Sequence, residues 1–189
     1  MTRGFSSTAL SRRGLLKAAG LSAGLVTVGA TLGAGAADAA VTVQSGWRYC
    51  SYCHGLWWPS SGHNVCFGRA GGHSRGSWSY KMYAYDYSLG SSYGWQPGWY
   101  WCSRCGLMHY GSGTSGYCAA GGSHTSSGSA QYGMAHEGFT TLDSYPYQFG
   151  WRYCVGCRGI WWPSGADGSC PAYGVHYPSG YDYALAYYG

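Results

Sequence analysis

The chain is expected to be all-β with little helix, and three observations predict it. The first is composition: the chain is rich in Gly, Tyr and Trp, residues that suit short strands and tight turns, and poor in helix formers. The second is periodicity, since no segment sustains the 3.6-residue apolar repeat of an amphipathic helix. The third is internal repetition: QSGWRYCSYC at Gln44, QPGWYWCSRC at Gln96 and QFGWRYCVGC at Gln148 begin 52 residues apart. Three copies of about 50 residues follow, with boundaries at 40–95, 96–147 and 148–189.

Before the first copy, Ser11-Arg12-Arg13-Gly14-Leu15-Leu16-Lys17 leads into a weakly apolar run, Ala18 to Ala36, and the small-x-small triplet Ala37-Asp38-Ala39. This stretch resembles a twin-arginine export signal, so residues 1–39 are expected to be removed from a secreted protein. Five glycines in the apolar run argue against a membrane anchor. Of the formal net charge of +5, the part from residue 40 onward is +2, seven basic against five acidic residues. That leaves no basic face for nucleic acid or an anionic membrane, and no later segment long and apolar enough to span one.

Each copy opens with Gln-x-Gly-Trp, and the alternation Trp47/Tyr49 or Trp151/Tyr153 puts these rings on one face of a short strand. A turn carrying two cysteines follows, then a return segment: GLWWP at Gly55, GLMHY at Gly106, GIWWP at Gly159. Proline ends the return in the outer copies because it cannot donate to a ladder. A Gly/Ser loop then closes on a third cysteine. Asn64, Gly116 and Gly168 stand two residues before it, types that tolerate a left-handed turn. Last comes a strand: Tyr80-x-Met82, Tyr132-x-Met134, Tyr183-x-Leu185. Aliphatic residues are scarce, so aromatics must supply most of the core.

The thiols and imidazoles share the pattern C-x(2)-C-x(12)-C-x(5,6)-H in every copy. The sets are Cys50, Cys53, Cys66, His73; Cys102, Cys105, Cys118, His124; and Cys154, Cys157, Cys170, His176. Zinc takes four tetrahedral N/S ligands, and a C-x(2)-C turn presents two thiolates to one ion, so each copy is expected to fold as a zinc-ribbon-like hairpin around a structural zinc. Disulfides are the alternative for an exported chain. Three cysteines per copy and nine in all cannot pair completely, which favours metal. A closed four-ligand site leaves no position for water or substrate, so the three zinc ions are structural rather than catalytic.

No paired carboxylates, no G-x-S-x-G elbow and no Ser/His/Asp set can be picked out, so catalysis is not expected. Trp57, Trp58, Trp161 and Trp162, with His109 and Tyr110 at the corresponding place in the second copy, are the candidate ligand-binding residues. Adjacent strand residues face opposite ways, so one Trp of each pair should enter the core. The other either packs copy against copy or offers a platform for sugar rings.

The opening Gln-x-Gly-Trp-x-aromatic-Cys-x-x-Cys, with a later Gly-x-Cys and a Gly-Gly-x-His before a Ser/Tyr strand, resembles repeats of secreted bacterial proteins whose function is mostly unassigned. The resemblance implies an accessory or binding protein and names no ligand. A non-catalytic module binding glycan or cell-envelope polymer is the first expectation. A self-associating adhesive surface protein and a small secreted hydrolase are the alternatives. Short linkers favour copies packed together, as a pseudo-threefold β body or in a row.

Overall fold

The computed structural model describes residues 42–85, 89, 93–111 and 113–189, all within one unit, Asp38–Gly189. The twin-arginine-like stretch at residues 1–39 lies outside the described residues. No helix among the described residues is long and apolar enough to cross a membrane. The protein is all-β, and its three copies repeat one pattern of three strands.

Copy 1 contributes β1 (Val43–Cys50), β2 (Leu56–Trp57), a 3₁₀ turn at Pro59–Ser61, and β3 (Arg75–Ala84). Copy 2 contributes β4 (Trp95–Trp101), β5 (Met108–Tyr110), a small extra hairpin of β6 (Thr114–Tyr117) with β7 (Ser123–Thr125), and β8 (Tyr132–His136). Copy 3 contributes β9 (Tyr147–Cys154), β10 (Ile160–Trp161) and β11 (Pro178–Tyr188). In each copy the first strand pairs antiparallel with both its return strand and its last strand. The return strands of copies 1 and 3 stop one residue before the Trp-Pro step, as proline requires.

The last strands join the copies cyclically. Ala84 of β3 pairs with Tyr132 of β8, His136 of β8 with Tyr183 of β11, and Tyr187 of β11 with Tyr80 of β3. Each pairing sets a residue four beyond the core tyrosine of one copy against the core tyrosine of the next. The return segments follow the same cycle: Trp58 N–H donates to Gly106 O at 3.0 Å, Tyr110 N–H to Arg158 O at 2.8 Å, and Trp162 N–H to His54 O at 3.0 Å. The arrangement is pseudo-threefold, with three equivalent seams.

Twelve buried residues on the axis of this arrangement form four sets of three. They are Trp47, Trp99, Trp151; Leu56, Met108, Ile160; Tyr80, Tyr132, Tyr183; and Met82, Met134, Leu185. The three tryptophans have no solvent exposure. At about 200 Å² and 25 cal/mol per Å², each contributes up to about 5 kcal/mol of burial energy, which answers the shortage of aliphatics.

The Gln-x-Gly-Trp opening has a concrete role here. Gly46, Gly98 and Gly150 hold φ between +89° and +95°, and the strand register shifts across each, a bulge that turns the following Trp into the core. The glutamine then accepts two hydrogen bonds at one oxygen. Trp47 Nε1 donates to Gln44 Oε1 at 3.0 Å and Tyr132 OH, from the next copy, at 2.6 Å. Gln96 likewise accepts from Trp99 and Tyr183, and Gln148 from Trp151 and Tyr80. Each seam is thereby fixed by one acceptor shared between copies, part-buried at Gln44 and Gln96 and buried at Gln148.

Candidate metal centres

Every ligand set begins at the end of a first strand. Cys50 closes a tight turn in which His54 N–H donates to Cys50 O at 2.9 Å, and the same bond recurs from Gly106 to Cys102 and from Arg158 to Cys154 at 2.8 Å. The residue after the second cysteine is left-handed in all three copies: His54 at φ +62°, Gly106 at +83°, Arg158 at +59°. The repeat register therefore follows the cysteines, and GLMHY starts one residue early. Gly106 replaces His54, Leu107 replaces Gly55, and His109 replaces Trp57, as the bridges Gly55–Trp161, Trp57–Leu107 and His109–Gly159 show.

The third cysteine reaches the turn from the loop. Cys50 and Cys66 Sγ lie 3.8 Å apart, Cys102 and Cys118 3.8 Å, and Cys154 and Cys170 3.7 Å. His73 Nδ1 lies 3.5 Å from Cys53 Sγ, with the same distance for His124 to Cys105 and His176 to Cys157. A tetrahedron with Zn–S near 2.3 Å and Zn–N near 2.05 Å has edges of about 3.8 Å (S–S) and about 3.6 Å (S–N). The clusters match both edges. A disulfide would bring two sulfurs to about 2.05 Å, and all nine cysteines are free. The three buried Cys₃His groups fit three structural zinc sites.

Electrostatics agree with a cation at each centre. Hydrogen bonds from Cys53 and Cys66 hold the Cys50 thiol well below its usual range, while Cys53, facing the Cys50 and Cys66 sulfurs and fully buried, is pushed well above it. Copies 2 and 3 split their first two cysteines the same way. Burial drives His73, His124 and His176 down, yet the neighbouring thiolates outweigh it and carry each to about 9. Three thiols and an imidazole therefore gather anionic charge that a proton only partly offsets; Zn²⁺ offsets two units of it.

The surrounding groups orient the ligands. His73 Nε2 lies 3.1 Å from Cys105 O and His176 Nε2 2.9 Å from Cys53 O, so each imidazole reaches the cysteine turn of the next copy. His124 Nε2 finds no partner among the described residues. A flat ring covers each ligand histidine: Trp57 on His73 at 4.9 Å, His109 on His124 at 4.8 Å, Trp161 on His176 at 5.0 Å. Gly116 and Gly168 are left-handed, as expected, and each passes close to the next copy's cysteine turn. A Cβ at Gly116 would meet Cys157 O at 2.3 Å, and at Gly168 Cys53 O at 2.6 Å. Asn64 is a correction: it is not left-handed, and its Oδ1 accepts from His73 N–H at 2.6 Å.

The candidate ligand-binding aromatics are placed differently from the simple alternation. Trp57, Trp161 and His109 are buried against the metal ligands and offer no surface. Their neighbours do not face outward freely either, because the copies twist together there. Trp58 packs on Trp101 of copy 2 at 5.6 Å, Tyr110 on Tyr153 of copy 3 at 6.0 Å, and Trp162 on Tyr49 of copy 1 at 5.9 Å. These six rings join the copies. Only partial faces of Trp58, Tyr110 and Trp162 remain open.

One seam carries an aromatic cleft. Between copies 3 and 1, a cleft of about 300 Å³ is lined by Tyr49, Gly76, Ser77, Trp78, Tyr80 and Trp162. Trp78 is 40% exposed and stacks flat on Tyr187 at 4.6 Å, and Tyr49 OH lies 2.6 Å from Ser164 Oγ. Sequence reasoning missed Trp78. By alternation it shares the face of Tyr80 but lies beyond the core, where it is exposed, and the equivalent residues are Ala130 in copy 2 and Tyr181 in copy 3, so the repeat pattern does not mark a shared tryptophan. No protein-family model, curated protein or solved structure matches the chain.

Proposed function

We propose that this protein is an exported, non-catalytic binding module, held together by zinc, whose cleft between copies 3 and 1 takes a glycan or cell-envelope polysaccharide. The cleft carries the reading. Tyr49, Trp78 and Trp162 surround a glycine and a serine, which is the make-up of a sugar site: flat apolar faces for the CH side of a pyranose and small polar groups for its hydroxyls. Three of the four described carboxylates, which a glycosidase would need free, have structural partners. Asp143 accepts from Tyr83 OH, Asp182 pairs with Arg152 at 3.1 Å, and Glu137 accepts from Asp182 N–H at 2.7 Å. The twin-arginine-like start supports export, and folding before transport suits thiols that must bind metal in a reducing compartment.

The test is retention of the zinc-loaded protein on a panel of insoluble polysaccharides, with Trp78→Ala alongside. Saturable retention by at least one, weakened tenfold or more in the variant while zinc content holds, is the expected result. No retention, or retention indifferent to Trp78→Ala, would refute the assignment.

A further inference from the structure

A second cleft, of about 520 Å³, opens at the seam between copies 2 and 3. Gly116, Tyr117, Gly122 and Ser123 line it from the loop of copy 2, and Val155, Gly156, Arg158 and Tyr173 from copy 3. Its character differs from the aromatic cleft. Arg158 stands in the wall, and none of the described carboxylates, Glu137, Asp143, Asp167 or Asp182, lines it. Arg104 adds a second guanidinium behind that wall, donating to Ser123 O at 3.3 Å and Ala120 O at 3.1 Å. The other arginine of copy 3's first hairpin, Arg152, is already paired with Asp182. Positive charge is thus concentrated here without a carboxylate facing it.

Two further observations point to a ligand. Tyr117 and Tyr173 are 58% and 57% exposed, among the most exposed rings of the described residues. Arg158 also sits at the left-handed position of the cysteine turn, where copy 1 has His54 and copy 2 glycine, so the permanent charge at this place is peculiar to copy 3. The arginine supplies a planar, permanently charged fork at this seam, in the same lining as two tyrosine rings. A fork pairs with a carboxylate through two parallel hydrogen bonds, and ring faces accept the CH side of a sugar.

We propose that this cleft binds an acidic saccharide, a uronate whose carboxylate is held by Arg158 while its ring lies against Tyr117 and Tyr173. This site is separate from the aromatic cleft, and the two together would let the protein hold a polymer carrying both neutral and acidic sugars.

The experiment is calorimetric titration of the zinc-loaded full chain with a galacturonate oligosaccharide, the neutral galactose oligosaccharide of the same length, and inorganic phosphate. The uronate is expected to bind at least tenfold more tightly than either other probe, with affinity falling as salt is raised. Arg158→Gly should cut uronate affinity tenfold or more while leaving three zinc ions per chain, because glycine accepts the backbone there. Tyr117→Ala, at an exposed position outside the metal ligands, should also weaken it. Trp78→Ala should leave uronate affinity unchanged, which separates failure here from failure of the aromatic cleft. Phosphate binding as tightly as uronate, neutral sugar binding equally well, or an indifferent Arg158→Gly variant would each overturn the proposal.

Discussion

Gln148→Leu is expected to be among the most destabilising single changes that touch no metal ligand. Gln148 is only 8% exposed, and its Oε1 accepts from Trp151 Nε1 at 3.1 Å and from Tyr80 OH at 2.6 Å. Leucine fills the space but accepts nothing, leaving two donors buried on fully or almost fully buried rings. Each orphaned donor costs about 1–3 kcal/mol, so the expected loss is about 2–6 kcal/mol, or roughly 4–24 °C in melting temperature for a chain of this size. Tyr80→Phe removes one of those donors, so the double variant should lose about 1 kcal/mol less than the sum of the singles. Thermal and urea unfolding followed by tryptophan fluorescence at fixed free zinc measures this. Additive losses, or a Gln148→Leu variant as stable as the parent, would refute the view that this acceptor holds the seam between copies 3 and 1.

Metal removal should unfold the protein outright. Structural zinc supplies about 10–16 kcal/mol of apparent binding energy to a small folded unit, so a strong chelator should abolish the β-type circular dichroism, and elemental analysis of the native protein should give three zinc ions per chain. At high pH a different weakness appears. Burial pushes Tyr132 up to about 12 and Tyr80 and Tyr183 higher still, so these phenols stay neutral in the fold but ionise near 10 once unfolded. Their contribution is complete below pH 10 and is lost as pH rises towards 12. Tyrosinate absorbance after a pH jump should show this class ionising only together with loss of near-UV circular dichroism.

Much of this architecture can be read in the sequence because the repeat spacing is so regular. Cysteines separated by two residues in a turn have few uses, and the third thiol and the histidine recur at almost constant distances, so the ligand sets and the strands that carry them are visible without coordinates. What cannot be read is where one copy meets another. Gln44, Gln96 and Gln148 recur as plainly as the cysteines, yet their partner tyrosines lie in other copies, and no local period encodes that distance. Trp58 and Trp162 illustrate the same limit. Strand alternation places one Trp of each pair outside its own hairpin, but the outside of one hairpin is the inside of a seam. The text alone also misaligns GLMHY, because Gly106 looks like Gly55 and in fact stands for His54.

The cyclic pairing of β3, β8 and β11 sets the copy number. In an open stack of repeats, a copy can be added or lost at the end and the remainder keeps its neighbours. Here every copy has a neighbour on both sides, so deleting one breaks two seams of three, leaving a glutamine without its tyrosine at one and a tyrosine without its glutamine at the other. Closing the cycle also joins Tyr187 to Tyr80, residues more than a hundred positions apart, so the final contacts wait until the whole chain is present. Duplication and deletion of whole copies, the usual way repeat proteins change length, is therefore closed to this one. Its variation must come instead from the residues that make one seam unlike another.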